Sequence, residues 1–581
     1  MDLARAVSVN GMFKKIHEKQ SNELPWLYFW SFFLAIGWIL PNHYLPWVGF
    51  HTDIWVAGMF LLAGVTLVMR FPVQFGWTIL NLTVALMVLI PVFQYVGGLL
   101  VFSGQVWITS AYLLGLLLSL LIGAHWERQQ PGQAFDTLFF AISLACIMSV
   151  GMQLYQWAGL KGLDPWIVNM SGNRPFANLV QPNQLATLLL WGVISVGWFS
   201  SHKKIGTITA MLMAMFFLLG IALTQSRTPI LAMLFCIFLS WFWREIWYTK
   251  KRLWIFSWLI LFFIICSFGI GFFNKLIYSN QNSDVFERIG NGDIRLKIYF
   301  LFFDAVLQKP YFGYGWTNVG SAQMLVAENH DALGDVFQHA HNLLLDLMLW
   351  VGIPIGLLIF GVLVRWFWLQ IKGIASIGDA LLFLFVLVFF VHSMLELPHQ
   401  YAYMLFPIGL VMGGVEVRTA MPVFFRTHYV YIMVLLLSGV CFFGVIIRDY
   451  FRIESDFMAL RFERAYGRLP PAVAPQTLVL SQLEAFVKMG RMKAYVGMSH
   501  EELRWMHAVV GYFPSPNNQY LYMAALALNG YSVDAQRRMN MLRKIMNIND
   551  YVELEKLWVL QSKNNAVLSR TKWLPIVGVD R

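Results

Sequence analysis

The chain has 581 residues, 58% of them hydrophobic and only 13% charged, with a formal net charge of +11. A mean hydropathy of +0.60 excludes an ordinary soluble globular profile and places the chain among polytopic membrane proteins. The positive charge follows from membrane topology and contact with anionic lipid, so it implies no nucleic-acid partner.

Residues 1–25 form a polar, basic N-terminal segment carrying Lys14, Lys15 and Lys19. It lacks a small-residue cleavage site and further spans follow at once, which predicts a retained first helix rather than a removable signal. From Trp26 to Ile447 the sequence predicts an all-α transmembrane domain, with about 13 apolar runs long enough to cross roughly 30 Å of hydrocarbon. Their centres fall near residues 34, 61, 87, 115, 146, 192, 214, 236, 262, 356, 386, 408 and 438. Basic residues occupy every second loop, from "MRFP" at Arg70 to "VEVRTAMPVFFRTH", which marks those loops as cytoplasmic. An odd number of spans then puts residues 448–581 outside. Cys146, Cys236, Cys266 and Cys441 lie within the apolar runs without metal-ligand spacing and read as small apolar residues.

Three regions are expected to leave the membrane. A loop at about 158–184, "LKGLDPWIVNMSGNRPFANLVQPNQLA", is rich in Gly, Pro and Asn and reads as irregular backbone. A larger outer loop, about 274–341, contains a helical apolar spacing from Ile294 to Leu307 and a turn at "KPYFGYGW". The tail, 448–581, has soluble composition and helical patterning, with one weakly tetratricopeptide-like hairpin joined at Gly530.

Arg174, Arg227, Arg288 and Arg295 stand in the outer loops or at outer span ends, against the positive-inside trend. Each alone is compatible with snorkelling to headgroups, but together they favour an anionic ligand, because a guanidinium fork suits phosphate oxygens. Arg227, in "TQSRTPILA", marks a tight turn before a helix opened by Pro229, and pairing with a carboxylate or a helix C-terminus is its other reading. Gln181, Asn183 and Gln184 enter the next span with amides suited to a sugar or phosphate, although Asn183 could simply cap that helix. In "VFQHAHNLLLD", His339 and His341 could be metal ligands, interface residues or a general base. His330, Asp331 and Asp335 lie nearby, but no HExxH-like spacing appears. If Asn342 caps the following helix, His341 stands at the positive end of its dipole and near arginines, which disfavours imidazolium.

"HN", nine residues and then "GIPIG" resembles the signature of bacterial O-antigen ligases and O-oligosaccharyltransferases, membrane enzymes of the glycosyltransferase-C type. Ile355 stands where the family has Gly, Thr or Tyr, with Gly356 one residue later; His341 remains the matching histidine. "TQSRTPILA" matches the family's arginine turn, "DIRLKIY" its second arginine at Arg295, and "KPYFGYGWTN" its glycine-rich turn. "NRPFANLVQPNQLA", "SMLELPHQYAYMLF" and the soluble tail resemble the pilin-type protein O-oligosaccharyltransferases most. There the functional glutamine corresponds to Gln181 and the tyrosine to Tyr401 or Tyr403.

The resemblance implies a multi-pass protein of the bacterial inner membrane, with active site and tail in the periplasm. The donor would be an oligosaccharide on undecaprenyl diphosphate and the acceptor a Ser or Thr of a periplasmic, pilin-like protein. His341, with His339 as alternative, would be the base. Arg227 and Arg295 would stabilise the leaving diphosphate, with Arg174, Gln181, Arg288, Tyr401 and Tyr403 binding substrate. No metal or other cofactor is expected, and Glu396 reads as structural. An O-antigen ligase acting on lipid A-core, a glycan polymerase and a lipid-linked glycan transporter stay open, although no internal repeat favours transport.

Overall fold

The computed structural model describes residues 24–170, 172, 174–247, 249–277, 294–466 and 473–573. Lys14, Lys15, Lys19 and Arg288, singled out in the sequence, lie outside the described residues, as does Asn173 of "NRPFANLV". The membrane portion runs α1 (Leu24–Ile36), α2 (Phe50–Arg70), α3 (Ile79–Val96), α4 (Ser103–Gln129), α5 (Gln133–Trp157), α6 (Pro182–Ser201), α7 (Thr207–Leu223), α8 (Thr228–Phe242) and α9 (Lys250–Ile277). After α10 (Ile294–Gln308), α11 (Val319–Val326) and α12 (Leu343–Val351) come α13 (Ile353–Gly373), α14 (Ile377–Ser393), α15 (Ala402–Arg418) and α16 (Tyr429–Tyr466). Among the described residues 8 helices are long and apolar enough to cross a membrane and four more are shorter apolar helices, as a multi-pass membrane protein requires. All of the expected span centres fall inside helices, including residue 408 within α15, whose interior Pro407 is tolerated by close neighbours.

Two of these helices meet backbone to backbone. A Cβ built on Gly123 of α4 would stand 2.0 Å from the Leu410 carbonyl of α15, and one on Gly413 of α15 would stand 2.0 Å from the Leu120 carbonyl. A Cβ on Gly115 would lie 2.1 Å from the Phe406 ring, and one on Gly409 2.9 Å from Ser119 Cβ. Gly409 and Gly413 are four residues apart on one face, the small-xxx-small spacing that lets membrane helices approach where lipid supplies no hydrophobic drive. The end of this pair that carries Arg418 is closed by polar contacts: Arg418 reaches Glu127 at 3.0 Å and Asp379 at 2.6 Å. There β1 (Phe75–Trp77) and β2 (Phe425–Thr427) pair antiparallel, Gly76 opposite Arg426.

The opposite end is held by a buried carboxylate. Asp53 of α2 accepts from the N–H of Ala402 at 2.6 Å and of Tyr403 at 3.3 Å, so it caps α15 from another helix. Its second oxygen takes the Tyr112 hydroxyl at 2.6 Å. Trp38 adds a bond from Nε1 to the Tyr403 carbonyl at 3.1 Å.

The large loop owes its shape to spacing and glycines. In α10 the buried side chains Ile298, Leu301, Phe302, Ala305 and Val306 fall on one helical stripe. The glycine-rich turn that follows packs on the end of α12: Tyr314 N–H reaches the Leu349 carbonyl at 2.7 Å, and a Cβ on Gly313 would come within 2.4 Å of that oxygen. Gln94 of α3 clamps the turn, donating to the Trp350 carbonyl at 2.7 Å and accepting from Trp316 N–H at 2.9 Å.

The tail forms α17 (Ser481–Arg491), α18 (His500–Tyr512), α19 (Pro516–Leu528), α20 (Ser532–Ile545) and α21 (Ile548–Lys563), with Gly530 in the left-handed region between α19 and α20. α16 passes residue 448 without a break, so the last apolar run and the amphipathic stretch after it are one helix of 38 residues. The tail's core is shared with the membrane portion through Phe102, Met324 and Ala327.

Replacing Gly413 with Leu is expected to force α4 and α15 apart and destabilise the protein by about 1–3 kcal/mol, seen as a lowered thermal transition in detergent. Gly444, where a Cβ would meet nothing within 4 Å, should accept Leu with no such change.

Candidate active site

The residues singled out in the sequence converge on one cavity of about 1210 Å³, whose lining includes Gln181, Arg227, Arg295, His339, His341 and Tyr401. It also includes Glu396, which joins the others. In the turn between α14 and α15, Glu396 Oε2 lies 3.0 Å from His341 Nδ1, and Oε1 accepts from Arg295 Nη2 at 2.5 Å and from Asn183 Nδ2 at 3.0 Å. Burial alone would push this carboxyl up. The His341 and Arg295 contacts outweigh burial and hold it at about 2, so it is ionised.

Each partner arrives on its own element. Arg295 stands one turn before Ile298 on the stripe that buries α10, so the packing of that helix aims the guanidinium at the site. Tyr299, four residues on, donates its hydroxyl to the His341 carbonyl at 3.1 Å. The histidine turn is fixed on its other side by Asp346, which is fully buried and accepts from Ala340 N–H at 2.7 Å. Asn342 caps α12 by accepting from Leu344 and Leu345 N–H, and His341 is held at φ 53°, a left-handed conformation uncommon for a residue with a Cβ. The sequence placed positive neighbours beside this ring; the structure adds the Glu396 carboxylate.

His339 packs edge-on against His341, ring centroids 4.3 Å apart. Burial, with His341 beside it, pushes its imidazole down to about 4, so it is neutral at physiological pH. Among the described residues no group of three His, Cys, Asp or Glu is arranged to hold a metal ion.

Asn183 does not cap α6, one of the two readings the sequence left open for it. Gln181 is the N-cap, accepting from Asn183 N–H at 3.1 Å, with Pro182 at the first helical position. Asn183 is thereby released from capping: its amide nitrogen reaches Glu396 and its oxygen accepts from Ser226 Oγ. Ser226 belongs to the turn between α7 and α8, in which Gln225 is left-handed at φ 48° and Arg227 is the N-cap residue of α8. Arg174 lies outside the cavity lining and donates from Nε to the Thr224 carbonyl at 2.9 Å, bracing the same turn.

The two tyrosines separate clearly. Tyr401 lines the cavity, and burial, with Asp53 nearby, pushes its phenol above the ordinary range. Tyr403 is 1% exposed, does not line the cavity, and donates to Gln184 Oε1. The sequence reads Glu396 as structural and does not single out Asp53; the signal available for both is a carboxylate at the end of an apolar run.

Below this polar end the cavity is apolar. Val84, Leu113, Leu116, Leu120, Phe389, Ile408 and Met412 line it, and Met412 lies ten residues into α15, about 15 Å along its axis from Ala402.

Comparison with known proteins follows this geometry along the chain. The O-antigen ligase family matches residues 210–361, which hold Arg227, Arg295 and His341. A protein glycosylation ligase family matches 175–199, which hold Gln181 and Asn183. The C-terminal part of a virulence factor membrane-bound polymerase family matches 380–550, from α14 into the tail and including Glu396. A general O-oligosaccharyltransferase of Acinetobacter baylyi is 26% identical over 93% of this chain and 94% of its own length. A ComP-specific O-oligosaccharyltransferase of the same organism is 27% identical over 67% of this chain and 70% of its own length. Three family matches, each over part of the chain, and two relatives at 26% and 27% identity agree with the chemistry of the cavity: the protein is a glycosyltransferase, similar to the O-antigen ligases and to the O-oligosaccharyltransferases.

Proposed function

We propose that the protein transfers an oligosaccharide from undecaprenyl diphosphate to a Ser or Thr hydroxyl of a periplasmic acceptor protein such as a pilin. It would work from the inner membrane, with about 13 spans and with the polar end of the cavity and the tail facing the periplasm. The observation that carries this reading is the two-zone cavity, in which arginines, amides and a histidine–carboxylate pair sit at the mouth of a long apolar shaft. Such a shaft suits a polyprenyl chain, and the mouth suits its diphosphate and first sugars.

In this mechanism Glu396 accepts a hydrogen bond from His341 Nδ1–H, fixing the tautomer and leaving Nε2 to take the acceptor's proton. The hydroxyl oxygen forms a bond to the anomeric carbon as the bond from that carbon to the diphosphate oxygen breaks. A single displacement of this kind inverts the anomeric centre. Arg227 and Arg295 stabilise charge on the departing diphosphate. Arg295 also bonds Glu396, so one guanidinium couples the base to the leaving group. The shaft would have no role in transfer from a lipid-free donor, and the likeness to a general O-oligosaccharyltransferase over 93% of the chain supports a protein acceptor.

Glycan transfer from lipid-linked donor to an acceptor protein, followed by gel shift and mass, tests this. His341→Ala should abolish transfer while the protein stays inserted and folded. Because His339 protonates only near pH 4, His339→Gln should leave the shape of the rate profile unchanged over about pH 5–8. Loss of transfer in His339→Gln equal to that in His341→Ala would reverse the assignment. Glu396→Gln should lower the transfer rate by about 10²- to 10⁴-fold with the fold intact. Arg227→Lys should also fail, since an ammonium lacks the fork, and near-full activity would reduce Arg227 to an anchor of its turn.

A further inference from the structure

The cavity that holds His341 is not closed by the membrane portion alone. Its lining continues onto the tail through Leu483 and Phe486 of α17 and through Phe513, Pro514 and Ser515 in the turn from α18 to α19. Phe486 and Phe513 pack together, ring centroids 4.9 Å apart at 47°. Gln482 also reaches the lining, but its Oε1 is pressed over Gly104 of α4, where a built Cβ would stand 1.7 Å away.

This wall is anchored on both sides. Ser481 Oγ accepts from Gly104 N–H at 3.0 Å at the start of α4. Across the cavity, Ser321 of α11 donates to the Gly511 carbonyl at 2.8 Å, and Lys544 of α20 donates to the His330 carbonyl at 2.8 Å. The segments so gripped are those that lead into the histidine turn, so the wall is fixed relative to His341.

The two sides of the mouth differ in chemistry. Gln181, Glu396, Gln400 and Tyr401 supply hydrogen-bonding groups on the membrane side, as a glycan and diphosphate need. On the tail side the lining is apolar except for Gln482, Ser515 and the phenol of Tyr512, which is hydrogen-bonded to Thr317, and it carries no charge. A sugar placed there would lose hydrogen bonds to water without replacement, whereas an apolar peptide side chain would gain.

We infer that the tail is the acceptor-selecting wall of the active site: Phe486, Phe513 and Pro514 receive a polypeptide segment in which apolar residues flank the reacting hydroxyl, and they disfavour charged flanks. The inference rests on the protein-acceptor reading above and names the surface that enforces it. Selection arises because burying a charged flank against an uncharged apolar wall leaves it without a partner.

The test uses the full chain in lipid nanodiscs with lipid-linked glycan and two synthetic peptides, one with Ser flanked by Ala, Val and Leu and one with Ser flanked by Asp and Lys. Wild-type protein should modify the apolar peptide with a KM at least about tenfold lower than the charged one. Phe513→Ala should raise the apolar peptide's KM by about tenfold with donor KM unchanged, and Phe513→Leu should restore most of it. An unchanged thermal transition for each variant separates this from loss of fold. A rise in donor KM instead would assign the wall to the glycan, and equal use of both peptides would remove its selectivity; either result overturns the inference. Modification of neither peptide also overturns it, and transfer to lipopolysaccharide core in their place overturns the protein-acceptor reading beneath it.

Discussion

The structure turns on one carboxylate. Glu396 has two oxygens, and both are committed: Oε2 to His341, Oε1 to Arg295 and Asn183. Those three partners come from the histidine turn, α10 and α6, which the chain brings to one point from separations of 55, 101 and 213 residues. A buried carboxylate is costly unless it is paired and fully hydrogen-bonded, and the pairing here is complete enough to hold it ionised. Removing it would take a carboxylate from Arg295 and leave His341 without its orienting partner. The same interaction that joins the elements also sets the base and the cation side by side.

The rest of the fold supplies rigid positions for that junction. Gly409 and Gly413 let α15 lie against the backbone of α4, and Asp53 caps α15 from α2, so the turn carrying Glu396 and Tyr401 ends on a fixed helix start. Asp346 and Asn342 hold the histidine turn, with His341 in a left-handed conformation that a free chain would rarely adopt. Arg174 braces the turn of Arg227 through the Thr224 carbonyl. Polar groups at span ends are thereby used as clamps between helices, the role they can fill where lipid gives apolar side chains no preference for each other.

Much of this was legible in the sequence because it depends on local spacing. The apolar runs gave the helices, the period of Ile298, Leu301, Phe302, Ala305 and Val306 gave α10, and the glycines of "KPYFGYGW" gave a turn that the Leu349 carbonyl makes obligatory. The cavity's arginines, histidines and Gln181 stood out as polar residues against apolar surroundings. Glu396 did not, because its meaning lies in partners far along the chain. For the same reason the choice between Tyr401 and Tyr403 was closed to sequence: two residues apart at a helix start, they point to a cavity and to a core. The alternative of Asn183 as the cap of α6 falls to Gln181, two positions earlier, since nothing local says that Asn183 is drawn to Glu396. The tail's share in the site was likewise invisible, as it arises from docking rather than from any motif.

A histidine and an arginine tied to one carboxylate should act as a unit, and units are recognised by non-additivity. The most direct measurement is a double-variant cycle of His341→Gln and Glu396→Gln, read as single-turnover glycan transfer over long incubation. If Glu396 acts through His341, the double variant will be no slower than the slower of the two single variants. If the two losses multiply, Glu396 contributes independently of the histidine, and its assignment as the partner that orients His341 is wrong.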